Sequence, residues 1–226
     1  MENTRREFLE RVTTGAALMG VAPFSLNAMT RAFAATSAPL EDKWDLSWVN
    51  RVTGKHKAIF DVPDIESGYG VWRTTLFTSQ YNQVLGVPEK DISAVIVLRH
   101  NGIWLAMQQP FWDKYEVGKN HNALDPITQK PTDKNPALLT AAKNEIPAQF
   151  AGVSLTEFLG RGGIALSCNV AFEEVVGTVQ EKDGVSPEEA RKRALALLVP
   201  GVIMQPSGVF AAIRAQEAGC LYLRAS

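Results

Sequence analysis

The sequence predicts an α/β fold, a mainly parallel sheet with helices on both faces. Three observations carry that expectation. Five short apolar segments recur between residues 57 and 223. Helix-like stretches with recognisable caps separate most of them. The strongest segment, Ser93-Ala94-Val95-Ile96-Val97-Leu98, is unbroken instead of alternating, as in a strand covered on both faces. Strands alternating with helices need a parallel sheet, because a parallel pair must be joined by a crossover, usually a helix.

The elements follow in order. Residues 35–54 are polar and mixed and read as a mobile lead-in. Residues 57–62 form the first strand, stopped by Pro63. Residues 69–85 suit a helix, and Gly86 fits its C-terminus. Residues 93–98 are the second strand. Residues 101–115 look helical, but Pro110 predicts a break or kink. Around it cluster Trp104, Phe111, Trp112 and Tyr115, which read as core packing or as a pocket wall or oligomer contact. Residues 118–136 are rich in Asn, Asp, Pro, Thr and Lys and show no periodicity, so an insertion at about 116–150 is expected.

Ser154 and Glu157 make a capping box that opens a short helix. Residues 163–168 are the third strand, and a helix follows from about 170. The Gly-rich turn Gly160-Arg161-Gly162-Gly163 precedes that strand, so it reads as a helix-to-strand turn and not as a phosphate loop. Ser186 and Glu189 make a second capping box, with Pro187 in the first turn. Its helix runs to about 199, before Pro200 and Gly201. Residues 202–205 are a strand, Ser207 opens a helix ending at Gly219, and residues 220–223 are the last strand.

Ahead of this domain lies an address. Arg5 and Arg6 precede a mildly apolar stretch from Gly15 to Met29, and Ala32 and Ala34 supply small residues at a cleavage site. The pattern resembles a twin-arginine (Tat) export signal over residues 1–34. It implies the Tat translocase as partner during export and the periplasm as destination. No Cys follows the apolar stretch, and no apolar run approaches ~20 residues, so no membrane anchor is expected after cleavage.

Composition narrows the chemistry. Lys and Arg total 23 against 24 Asp and Glu, a net charge of −1, which leaves no electrostatic case for nucleic-acid binding. Two cysteines are too few for a disulfide scaffold or a four-cysteine zinc site. The three histidines show no metal-ligand spacing, so neither a metal nor a cofactor is expected.

In an open parallel sheet, ligands bind beyond the C-terminal strand ends. Three junctions there gather reactive side chains: Arg99-His100-Asn101, Cys168-Asn169 and Gln205-Pro206-Ser207. Cys168 ends a strand just before a helix, whose first-turn N–H groups favour a thiolate. It is the candidate nucleophile, with a small buried hydrophobe as the competing reading. Arg99, His100, Asn101, Asn169 and Ser207 are the candidate ligand-binding residues. Cys168 ends its strand whereas Cys220 begins another, so parallel strands hold them about 16 Å apart, beyond the ~7 Å between Cα atoms that a disulfide tolerates.

One ordered set of residues resembles the DsrE/DsrF-like family, in a Tat-exported branch. It comprises the strand ending in Arg99-His100, then Trp112-Asp113-Lys114-Tyr115, Cys168-Asn169, Leu198-Val199-Pro200-Gly201-Val202, Pro206-Ser207-Gly208-Val209, and finally Ala215-Gln216-Glu217-Ala218-Gly219-Cys220-Leu221-Tyr222. The resemblance covers about residues 55–226. It implies a DsrE-like three-layer sandwich of about five strands, and a homo-oligomer. It also implies sulfur relay, in which a cysteine accepts sulfane sulfur as a persulfide from a donor and passes it to an acceptor protein. Cys168 would be that cysteine. The alternative is a non-catalytic periplasmic module that binds a small ligand or cofactor, with Cys168 only lining the pocket.

Overall fold

The computed structural model describes residues 44–225. They form an α/β three-layer sandwich around a five-stranded, all-parallel sheet of order β4-β3-β2-β1-β5. The strands are β1 (His56–Val62), β2 (Ile92–Leu98), β3 (Ile164–Cys168), β4 (Ile203–Gln205) and β5 (Leu221–Arg224). The export signal expected over residues 1–34, and residues 35–43 of the lead-in, lie outside the described residues.

Strand β2 shows why the sheet is central. Ile96 and Leu98 enter one core and Val95 and Val97 the other, and none of the four has measurable exposure. Each such side chain contributes roughly 1.5–3 kcal/mol by leaving water. On the larger side, α1 (Tyr69–Leu85), α4 (Leu155–Gly160) and α5 (Asn169–Asp183) cover Phe60, Ile96 and Ala165. On the other, α7 (Gly208–Glu217) packs Ala211 and Ala215 over Ile59, Val95 and Leu166. The outer strand β5 is exposed along its whole length.

Most helix boundaries follow the sequence signals. Gly86 ends α1 in the left-handed region, with φ 66°. Both halves of the Ser154/Glu157 capping box form at α4. Ser186 caps α6 (Pro187–Ala196) by accepting from the Glu189 N–H, 3.3 Å away.

Pro110 does not kink a helix. Residues His100–Ala106 form a 3-10 segment, and Pro110 sits in the first turn of a new helix, α2 (Gln109–Tyr115). That is where a missing N–H costs nothing.

The expected mobile lead-in is corrected for residues 44–54. Trp48 is fully buried in a turn spanning Ser47–Arg51, and its indole N–H donates to Gln205 Oε1 at 3.1 Å. Arg51 reaches back to the carbonyls of Gly162 and Gly163. The insertion contains one short helix, α3 (Val117–Asn120), and is fastened by Asn135. That residue is fully buried, and its amide donates to the carbonyls of Leu105 (3.1 Å) and Met107 (2.7 Å).

Candidate functional site

The route of the chain diverges at one pair of neighbouring strands. The connections leaving β1, β2 and β3 all cross the larger core, whereas α7 leaves β4 across the opposite face and runs back to β5. Neighbouring strands whose exits diverge open a gap at their C-terminal ends, the usual ligand position in such sheets. Here those strands are β3 and β4, and Cys168 pairs with Gln205 in register at the divergence.

Cys168 ends β3 and is the N-cap of the 15-residue α5. Its Sγ accepts the Ala171 N–H at 3.4 Å, and the residue is 6% exposed. The sulfur therefore occupies the place where a Ser or Asp oxygen normally satisfies first-turn donors. Beside it, Asn169 is buried and its side-chain oxygen accepts from Arg191, which also pairs with Glu173 at 2.7 Å. Asn169 is thus held by the protein itself.

Arg99 is committed as well. Its Nε and Nη2 lie 2.6 and 2.7 Å from the two carboxylate oxygens of buried Asp61, and the Tyr222 hydroxyl donates to the same carboxylate at 2.5 Å. The Asp61 carboxylate raises the pKa of Arg99, and the same hydrogen bond raises that of Tyr222. Gly208 allows the arrangement. A Cβ there would come within 2.7 Å of the Arg99 stem, so only glycine lets α7 begin against it.

His100 is exposed and takes a left-handed backbone, φ 50°. It sits close enough to Glu174 of α5 to oppose the burial that pushes this carboxyl's pKa up. Glu174 reaches solvent at the rim, yet the protein around it removes enough water to matter. Ser207 caps α7 by accepting the Phe210 N–H at 3.0 Å. Gln205 is fully buried between the Trp48 indole and the Asp45 carbonyl, so the β4 side of the crevice is closed by residues 45–48.

The strand ends thus bring Cys168, Asn169, Arg99, His100 and Ser207 to one edge. Asn101 turns elsewhere, into a second cleft of about 450 Å³ beside the end of β1. Trp104, Trp112 and Tyr115 are all buried in the larger core, which favours the core-packing reading. The Trp112 indole donates to the Trp104 carbonyl at 2.8 Å, and the Tyr115 hydroxyl to Asp183 at 3.1 Å. Both thiols are free and buried, in cores on opposite sides of the sheet, and desolvation raises the pKa of Cys220. Among the described residues, no cluster of three His, Cys, Asp or Glu could hold a metal, and no helix is long and apolar enough to cross a membrane.

No protein-family model matches the chain, and no curated protein does.

From the sequence, Asp61 and Glu174 carry no site role, and Gln205 is placed at a strand end without one. For Asp61 a signal existed: a carboxylate inside the apolar run 57–62 must find a cation once buried. Gln205 and Glu174 carry no such mark, because ordinary polar residues near strand and helix ends are common.

Proposed function

We propose that the protein is an exported, DsrE-like carrier that takes up sulfane sulfur as a persulfide on Cys168. The observation that carries this reading is the position of the sulfur. It caps a helix of about four turns at the divergence of β3 and β4, with the Ala171 N–H directed at Sγ. Negative charge on a thiolate or a persulfide is favoured at such a helix start. In the transfer, the Cys168 thiolate attacks the outer sulfur of a donor persulfide. A new S–S bond forms at Cys168, the donor's S–S bond breaks, and the donor leaves as a thiol with no net oxidation. An exposure of 6% suits a small-molecule persulfide donor better than a docked protein thiol.

The same burial favours one competing reading. A binding module would keep Cys168 inert at the wall of the crevice, as buried free cysteines often are.

Intact mass separates the two. The protein, without reductant, is treated with a low-molecular-weight persulfide. The carrier reading expects a gain of ~32 Da, reversed by reductant, mapped to Cys168 and absent in Cys168→Ser. A thiol that gains no mass while folded overturns it and leaves the binding module.

Two further parts of the proposal have their own support. The twin arginines of residues 5 and 6 support Tat export to the periplasm, and replacing both with lysine should leave the protein in the cytoplasm. Exposed apolar side chains on α7 and β5, among them Val209, Ile213 and Leu221, support a homo-oligomer built on that face. Sedimentation should report a multimer that Leu221→Lys weakens.

A further inference from the structure

We propose that the cleft beside the end of β1 binds a small neutral polyol of about monosaccharide size, at a site independent of the thiol. The cleft is about 450 Å³ and is walled by residues 64–69, Asn101 and the insertion at 121–129. That volume lies in the usual range of small-molecule sites, ~300–1,000 Å³.

Five of its polar side chains have no hydrogen-bond partner among the described residues: Asp64, Ser67, Asn101, His121 and Asn122. Ser67 is the most telling. It is 7% exposed, yet its hydroxyl is not among the side-chain atoms sealed from solvent, so the cleft it lines is its outlet. With no protein partner, that hydroxyl is left to whatever fills the cleft, water or ligand.

The backbone is also held in uncommon geometry there. Of the seven non-glycine residues with positive φ among the described residues, four line this cleft: Glu66, Ser67, Asn122 and Gln129. Such conformations cost free energy and collect at ligand sites. The wall is fixed in place: the Tyr69 hydroxyl donates to the Pro126 carbonyl at 2.6 Å and accepts from Gln129 at 3.1 Å.

Charge selects the ligand class. No Lys or Arg lines the cleft, and Glu66 is neutralised by Arg73 at 2.8 Å, which leaves the Asp64 carboxylate. An anion would meet that carboxylate with no cation to offset it. An ammonium would satisfy Asp64 but leave the amide N–H groups of Asn101 and Asn122 without an acceptor. Hydroxyl groups both donate and accept, so a polyol alone uses the carboxylate, both amides, the imidazole and the Ser67 hydroxyl together.

The test is saturation-transfer NMR on the full chain with glucose, galactose, myo-inositol and glycerol as probes, and with putrescine and sulfate alongside. At least one polyol should receive saturation and compete with the others. Its affinity should fall at least ~10-fold in Asp64→Asn and in Asn101→Leu, each checked for an unchanged melting temperature. Cys168→Ser should bind it as the parent does, so loss of the carrier reading leaves this one standing. Silence from all four polyols, binding that both variants retain, or transfer to putrescine or sulfate in their place would overturn the assignment.

Discussion

Arg99 and Asp61 face each other across β2 and β1 in a two-point ion pair, at 2.6 and 2.7 Å, with Tyr222 of β5 closing on the same carboxylate. The pair ties three adjacent strands together at the edge where the candidate site lies. Arg99 is about one-third exposed, whereas Asp61 is 1% exposed, so the buried carboxylate depends on the guanidinium more than the reverse.

Removing the cation should therefore strand a buried charge. Arg99→Ala is expected to cost about 3 kcal/mol, the low end for a broken buried pair, because Tyr222 still donates to the carboxylate. Arg99→Lys should recover only part, since an ammonium lacks the two-pronged geometry. Urea unfolding of the three proteins measures this. An Arg99→Ala variant as stable as the parent would return Arg99 to the list of free anion binders.

At Cys168, fold and chemistry can be separated. Ser is a better N-cap than Cys because its oxygen is a stronger acceptor for the Ala171 N–H. Cys168→Ser should thus fold with unchanged or slightly higher stability while losing every reaction of that thiol. Cys168→Ala removes the cap and should cost about 1 kcal/mol. Thermal melts of the pair test this, and a large loss in the Ser variant would mean that the sulfur is needed for packing.

The alternation of elements was readable from the sequence because it rests on local signals. Val95 to Leu98 declare a doubly covered strand, and Ser154, Ser186 and Ser207 each declare a helix start. What pairs with what was not readable. Asp61 and Arg99 are 38 residues apart, and Trp48 and Gln205 are 157 apart. Nothing local to any of the four specifies its partner. Following β2, Asn101 belongs by sequence to the edge shared with Cys168, but the 3-10 turn from His100 to Ala106 redirects it. The cleft it lines is shared between residues 64–69 and the insertion, whose lack of periodicity hid the fixed contacts of Gln129 and Asn135.

Trp48 makes residues 44–54 part of the domain. Its indole fills the smaller core beside Val95 and Ile164 and bonds Gln205. Trp48→Ala should cost about 3–5 kcal/mol, as large aromatic truncations in cores do. Limited proteolysis gives a second view: cleavage between 51 and 55 should lower the melting temperature of the domain. A Trp48→Ala protein with parental stability would show that this segment is only lightly docked.

His121 should make stability fall in mild acid. Its ring stacks on Trp104, with centroids 4.5 Å apart, and burial lowers its pKa below the ordinary value of 6.5. The unfolded chain therefore takes up this proton first. The stabilisation is complete above the unfolded pKa and is lost as pH falls towards the folded one. Glu174 acts with the opposite sign, because its raised pKa means that the folded state takes up its proton first, adding stability at low pH that is lost as pH rises. Two variants separate the contributions. His121→Phe keeps an aromatic ring against Trp104 without a titrating group and should flatten the decline in melting temperature between pH of about 7.5 and 5.5. Glu174→Gln should steepen it. Parallel pH profiles for His121→Phe and the parent would show that His121 takes up its proton equally in the folded and unfolded states, and that the acid sensitivity arises elsewhere.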